Sequence, residues 1–161
     1  CPDMIGGGEW TSFLDESILD QELIVRSAQL HALMPMMQFS VAPWRVLDSV
    51  HLNAVKAAVA LRTKYTPLIM QLTHKAATTG EPIVKSMEYE FPAQGFETVI
   101  DQFMLGDYIL VAPMLKKGKA SRNVKLPAGK WKASDGTVLK GGKTYPQNVG
   151  LGQLLYFEKI N

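Results

Sequence analysis

What the sequence has little of narrows the choices before any motif is considered. One cysteine, Cys1, stands among 161 residues, which excludes an internal disulfide framework and any zinc site built on cysteines. No run of about 18 apolar residues occurs, so no membrane partner is expected. The first residues also lack the basic-then-apolar pattern of a signal peptide. An excess of one charge is missing too: 17 bases against 15 acids leave a formal net charge of +2, too small to imply a nucleic-acid partner. The three histidines, His31, His51 and His74, have no mutual spacing suited to a metal and are expected on helix flanks. Neither a metal nor a cofactor is expected.

What is there is ordinary for a globular chain, with 47% hydrophobic and 20% charged residues, too apolar for disorder. The length suffices for one domain, or for two pieces of about 80 residues that each lean on something else. The charge is unevenly spread. Between Leu115 and Lys143 nine bases face one acid, Asp135, whereas residues 1–80 hold six bases and seven acids. Lysines alternating with apolar residues read as the wet side of a sheet and as guards of its edges. A polyanion-binding face would want exposed aromatics among them, and only Trp131 lies there.

The sequence changes character near Gly80. Before it the periodicity is helical. Ser17 followed by Asp20 reads as a capping box for a helix over about 19–34, apolar around most of its circumference and therefore covered on more than one side. Pro35 stops it. The run Met36–Phe39 then reads as a strand buried on both faces, of the kind found in parallel sheets. A second helix follows Pro43, with Leu47, Val50, Ala54, Ala58 and Leu61 on one stripe. Pro67 is expected to kink or restart it, and Gly80 to cap its end.

After Gly80 short β-rich segments alternate with turns: Ile83–Met87, Tyr108–Leu115, Asn123–Leu126, Trp131–Ser134, Thr137–Lys140 and Leu154–Ile160. Asp135-Gly136 is a hairpin turn. An antiparallel sandwich or half-barrel is expected here. In the first half, a strand apolar on both faces cannot be satisfied by two helices without neighbouring strands. That half therefore reads as part of a larger α/β body. The opening Cys-Pro-Asp, without an initiator methionine, reads as the middle of a strand-to-helix loop.

Two loops hold the candidate chemistry. In Pro2-Asp3-Met4-Ile5-Gly6-Gly7-Gly8-Glu9-Trp10, glycines let the backbone approach a ligand between carboxylates that accept from hydroxyls and an indole face. A tight turn with incidental polar residues is the plainer reading. A phosphate cradle would need a Gly-Lys-Ser/Thr ending, which is absent. In Gln38-Phe39-Ser40-Val41-Ala42-Pro43-Trp44-Arg45, Gln38 and Ser40 stand at a strand's C-terminal end, where barrel enzymes place substrate groups. The alternative is a polar strand end with Trp44 packed as core. Glu88 and Glu90 read as neighbours on one solvated face of an extended stretch, and Met34, Met36, Met37, Met70 and Met104 as core filler.

Together these stretches resemble glycoside hydrolase family 31. The family pattern Gly-x-Asp-Ile-Gly-Gly-Phe is similar to PDMIGGGEW, and Glu-Leu-x-x-Arg-x-x-Gln to ELIVRSAQ. Pro-x-x-Arg-x-His with a following Pro-Trp is similar to PMMQFS and APW. LRTKYTPLIMQLTHKAATTGEPIV, DQFMLGDYILVAPML and NVKLPAGKW continue the likeness. The resemblance implies the last elements of a (β/α)8 barrel over 1–80, followed by an antiparallel β-sandwich C-terminal domain over 81–161. It implies the C-terminal segment of a retaining α-glycosidase, with an oligosaccharide or α-glycoside as substrate and the N-terminal part of the barrel as partner. The two aspartates such a mechanism needs at about 5 Å separation would precede Cys1, so no catalytic residue is assigned here and the chain alone is expected to be inactive.

Carried over by position, Asp3 matches the motif aspartate at the rim of the sugar site. Gln38 and Ser40 replace arginine and histidine, which removes charge-assisted donors and puts a glucose preference in doubt. The resemblance implies an α-galactose type of substrate beside an α-glucose type, because a similar subgroup of the family has Gln and Ser there. Glu9 and Trp10 are further candidate contacts. The alternatives are a non-catalytic carbohydrate- or protein-binding module, and a parent glycosidase that has lost its activity.

Overall fold

The computed structural model describes residues 3–7 and 19–160. Helix α1 (Gln21–Ala32) begins where the Asp20 carboxylate accepts from the Leu23 N–H at 3.1 Å. Asp20 itself is thus the N-cap, and Ser17 lies outside the described residues. A short helix α2 (Pro43–Val46) opens on its proline. Helix α3 (Ser49–Thr79) is capped by Asp48, which accepts from the Val50 and His51 N–H groups at 2.9 Å. Gly80 ends it at φ 75°, the left-handed cap conformation that glycine takes without strain.

Pro67 does not restart α3, which runs through it without a break. It lies on the exposed side, where water can reach the carbonyl it leaves unpaired. Tyr65 and Ile69 meanwhile hold the opposite side in the core.

The sheet region contains β1 (Val84–Ser86), helix α4 (Met87–Glu90), β2 (Phe103–Leu105), β3 (Ile109–Ala112), β4 (Ser121–Leu126), β5 (Lys130–Ala133), β6 (Val138–Lys140), β7 (Lys143–Asn148) and β8 (Leu155–Ile160). Six strands form one antiparallel sheet in the order β1-β2-β3-β8-β5-β6, and β4 pairs with β7 in a separate ribbon. Asp135-Gly136 turns the β5–β6 hairpin, with Gly136 at φ 89°.

Alternation along the strands explains the layering. Leu105, Ile109 and Val111 face α1 and α3. Met104, Leu110, Ala112 and Phe157 face the other way, onto Trp131, Val124 and Leu126. The large sheet is thus a middle layer between helices and ribbon. That is why β3 is apolar at every position.

Three segments depart from the sequence reading. Ile83–Met87 is strand only over β1, and α4 follows because Ser86 caps it, its hydroxyl accepting from the Tyr89 N–H. Glu88 and Glu90 therefore sit on a helix, not on an extended stretch. β7 carries Pro146, which hides it from a search for strands but suits a two-stranded ribbon with free edges.

Met36–Phe39 is the largest departure. It forms no strand and, among the described residues, makes a single parallel bridge, Phe39 with Ile5. Met37 and Phe39 pack on the helical core, while Met36 is 53% exposed. Helices cover one face only, so alternate residues have nothing to pack on. Met70 is likewise exposed and fills no core.

Candidate functional site

The bridge between Ile5 and Phe39 organises the candidate site. The Ile5 N–H donates to the Gln38 carbonyl and the Ser40 N–H to the Ile5 carbonyl, both at 2.9 Å. Ile5 is fully buried, whereas Gln38 and Ser40, flanking Phe39 on the opposite side of the backbone, are exposed. Gly6 follows at φ 75°. A side chain there would meet the Val41 Cγ2 at 2.5 Å, so glycine lets the two segments close up.

Asp3 is exposed, and its Oδ1 accepts from the Met4 N–H at 2.7 Å. The Gly7 N–H returns to the Met4 carbonyl at 2.9 Å. Asp3, Gly6 and Gly7 line a cavity of about 380 Å³ with Ser27, His31 and Asp20. The isolated bridge thus sets the Asp3–Gly7 and Gln38–Ser40 segments side by side. Glu9 and Trp10 lie outside the described residues.

Ser40 lines a different, more apolar groove of about 760 Å³, with Phe39, Val41, Pro43, Trp44 and Val59 among others, which Asp3 does not line. Trp44 is 73% exposed, which corrects the alternative that placed it in the core.

Several polar residues serve the framework. Arg26 and Gln29, the motif arginine and glutamine, are buried. Arg26 donates to the Gly150 carbonyl at 3.2 Å and Gln29 to that of Leu151 at 2.6 Å, tying α1 to the loop before β8. Arg62 of α3 donates to the carbonyls of Met34 and Pro35 and so holds the approach to Gln38. Asp20 also accepts from Lys117 at 2.7 Å. That bond and the Leu23 N–H hold its carboxyl below the usual range, so it is already engaged.

His31 corrects the expectation of a helix flank. It is 1% exposed, with Nδ1 2.6 Å from the Ser27 carbonyl and Nε2 2.9 Å from that of Asp3. Its position on the buried stripe of α1 is the one signal the sequence carried.

A second polar cluster lies in the sheet region. The Lys85 ammonium is 2.7 Å from Glu81, 2.8 Å from Glu90 and 2.6 Å from Asp107. Burial alone would lower its pKa, but the bonds to Asp107, Glu81 and Glu90 outweigh burial and raise it. The same bonds lower the pKa of Asp107 and of Glu81. The three carboxylates lie within 4.8 Å of one another, as for a metal. The cation among them is Lys85.

An antiparallel sheet sandwiched between helices and a β-ribbon is an arrangement shared with solved glycoside hydrolases. One such structure, a GH31 alpha-xylosidase from a soil metagenome complexed with xylose, superposes with a TM-score of 0.80 at 25% identity, covering 86% of this chain and 25% of that one. Residues 80–159 match the glycosyl hydrolase family 31 C-terminal domain. The myogenesis-regulating glycosidase of Mus musculus is 37% identical over 97% of this chain and 23% of its own length. An alpha-glucosidase of Saccharolobus solfataricus is 37% identical over 53% of this chain and 12% of its own. The chain belongs to glycosyl hydrolase family 31 and spans about a quarter or less of the lengths of these relatives.

Proposed function

We propose that this chain is the C-terminal segment of a retaining α-glycosidase. Residues 1–80 complete a (β/α)8 barrel, and residues 81–161 form the sandwich that braces it. The chain supplies substrate-site side chains, and the two catalytic carboxylates come from strands that precede it.

One observation carries this reading. The parallel bridge Ile5–Phe39 sets two segments side by side, with α1 and α3 covering one face. Gln38 and Ser40 turn to the other. This is the local order of a strand–helix repeat, whose C-terminal strand ends gather substrate groups. The Asp3 carboxylate accepts from sugar hydroxyls, Gln38 donates and accepts, and Ser40 does either. Glu9 and Trp10, outside the described residues, remain candidate contacts from the sequence.

The substrate is a terminal α-linked sugar. Gln38 and Ser40 stand where the common pattern has two cationic or imidazole donors, so an α-galactoside is the first substrate to test and an α-glucoside the second. In the whole enzyme, Asp3→Ala is expected to lower kcat/KM about 10- to 100-fold, the worth of a hydrogen bond to a charged group. Turnover of aryl α-glycosides by the 161-residue chain alone, abolished by Asp3→Ala, would overturn the assignment of catalysis to the preceding strands.

The exposure of Trp44 beside a groove favours a second reading, a non-catalytic carbohydrate- or protein-binding module. Saturable quenching of tryptophan fluorescence by galactosides in the isolated chain would support it over the first.

A further inference from the structure

We infer that His31 is a positioning residue for the substrate-binding aspartate, an inference that rests on the reading of Asp3 just given. The Asp3–Gly7 segment is held at three places. Its middle is fixed by the two backbone bonds of the Ile5 bridge. Its glycine end is fixed by the approach of Gly6 to Val41. Its start, the Asp3 peptide, is bonded among the described residues by the His31 ring, Nε2 lying 2.9 Å from the Asp3 carbonyl.

Both ring nitrogens face carbonyl oxygens, and a carbonyl only accepts, so the ring holds Asp3 in the form that carries a proton on Nε2. The other nitrogen lies 2.6 Å from the Ser27 carbonyl one turn back along α1, a contact that is a hydrogen bond only where Nδ1 carries a proton. Burial leaves the ring little freedom to leave the Asp3 bond. The Ile5 bridge fixes Gln38 and Ser40, whereas His31 fixes Asp3, so the helix sets the spacing between the two halves of the sugar site. A binding group displaced by a fraction of an ångström loses part of its contact.

Two substitutions separate positioning from packing. Glutamine carries a donor nitrogen at the side-chain depth of Nε2, and asparagine carries one at the depth of Nδ1. In the whole enzyme with an aryl α-galactoside, His31→Gln is expected to keep KM within about twofold. His31→Asn raises it about fivefold to tenfold, the worth of one lost hydrogen bond. A packing role would instead lower the active fraction, hence the apparent kcat, equally in both variants and leave KM alone. Equal KM values in His31→Gln and His31→Asn would overturn the inference.

Failure of the site reading shows up separately, as a wild-type enzyme that turns over normally when Asp3 is changed to alanine. His31 is then judged by amide hydrogen exchange of residues 3–7. Faster exchange in His31→Asn than in His31→Gln supports the positioning bond, and equal exchange removes it.

Discussion

The two regions of the molecule treat their apolar surface differently. In the sheet region the middle strands are closed on both faces, one by α1 and α3 and the other by the β4–β7 ribbon. The large apolar residues it leaves exposed, Tyr89, Ile100, Tyr108, Leu115 and Val138, stand on separate elements, and of these only Ile100 and Leu115 share a groove. In the helical region Trp44 and Val59 line one groove together, and Met36 stands uncovered on the open face of the bridge. A closed layer stabilises itself by burial, whereas an open one keeps apolar surface for a neighbour. The sheet region is therefore expected to govern the stability of this chain, and the helical region its assembly and its site.

The largest effect is expected where closure is tightest. Trp131 is fully buried and donates from Nε1 to the Pro127 carbonyl at 2.8 Å. Trp131→Ala should cost about 3–5 kcal/mol by denaturant unfolding. A loss below about 1 kcal/mol would mean that this core is not the stabilising one.

Next comes Lys85, 4% exposed. Removing it as Lys85→Met leaves Glu81 and Glu90 without their cation and Asp107 with Lys75 alone, a loss of about 2–3 kcal/mol once their partial exposure is discounted from the value for a broken buried pair. The pH dependence has a definite sign. The pKa of Asp107 is depressed, so its stabilisation is full above the unfolded value of 3.8 and is lost as pH falls through the lower folded value. The pKa of Lys85 is raised, so its part is full below 10.5 and is lost as pH rises through the folded value. The gap between wild type and Lys85→Met should thus be widest near neutrality and narrow as pH falls below 3.8 through the lowered folded value. A gap independent of pH would remove the electrostatic account.

The same contrast explains what the sequence made legible. The sheet region was readable because its residues are satisfied locally. Trp131 and Ala133 alternate with lysines, and Asp135-Gly136 marks a turn. Only β2, β7 and α4 escaped, the first for shortness, the second for Pro146 and the third because Ser86 caps a single turn. In the helical region, α1 and α3 followed from spacing and caps, but Met36–Phe39 was read as buried from apolarity alone. Apolarity records where a residue would be covered, not whether the cover lies in the same stretch of chain. For the site, residue type pointed to Asp3, Gln38 and Ser40 as candidates. The role of His31 depends on a bond across 28 positions, which no local pattern encodes.

A smaller effect is expected at the junction of the two candidate loops. Gly6→Ala places a methyl group 2.5 Å from the Val41 Cγ2, at a backbone φ of 75°. Val41 is itself buried and β-branched, so it cannot swing aside. A loss of about 1–2 kcal/mol follows from strain and overpacking together. In the whole enzyme the same change should raise KM, because it parts the segment of Asp3 from that of Ser40. An unchanged KM would uncouple the two loops.

The smallest effect sharpens the comparison most. Trp44→Ser removes a large side chain that makes little contact within this chain, being 73% exposed. Unfolding of the isolated chain should therefore shift by no more than about 0.5 kcal/mol, the usual range for surface positions. In the complete enzyme the barrel reading places neighbouring elements over the same groove, and there the substitution should lower the unfolding midpoint by several degrees, as loss of a buried aromatic does. The difference between the two measurements isolates cover supplied by the rest of the protein, because residue and substitution are the same in both. Equal small shifts would show that the groove stays open in the assembled enzyme, which is the outcome a ligand-binding surface on Trp44 requires. Equal large shifts would show instead that Trp44 stabilises this segment from within.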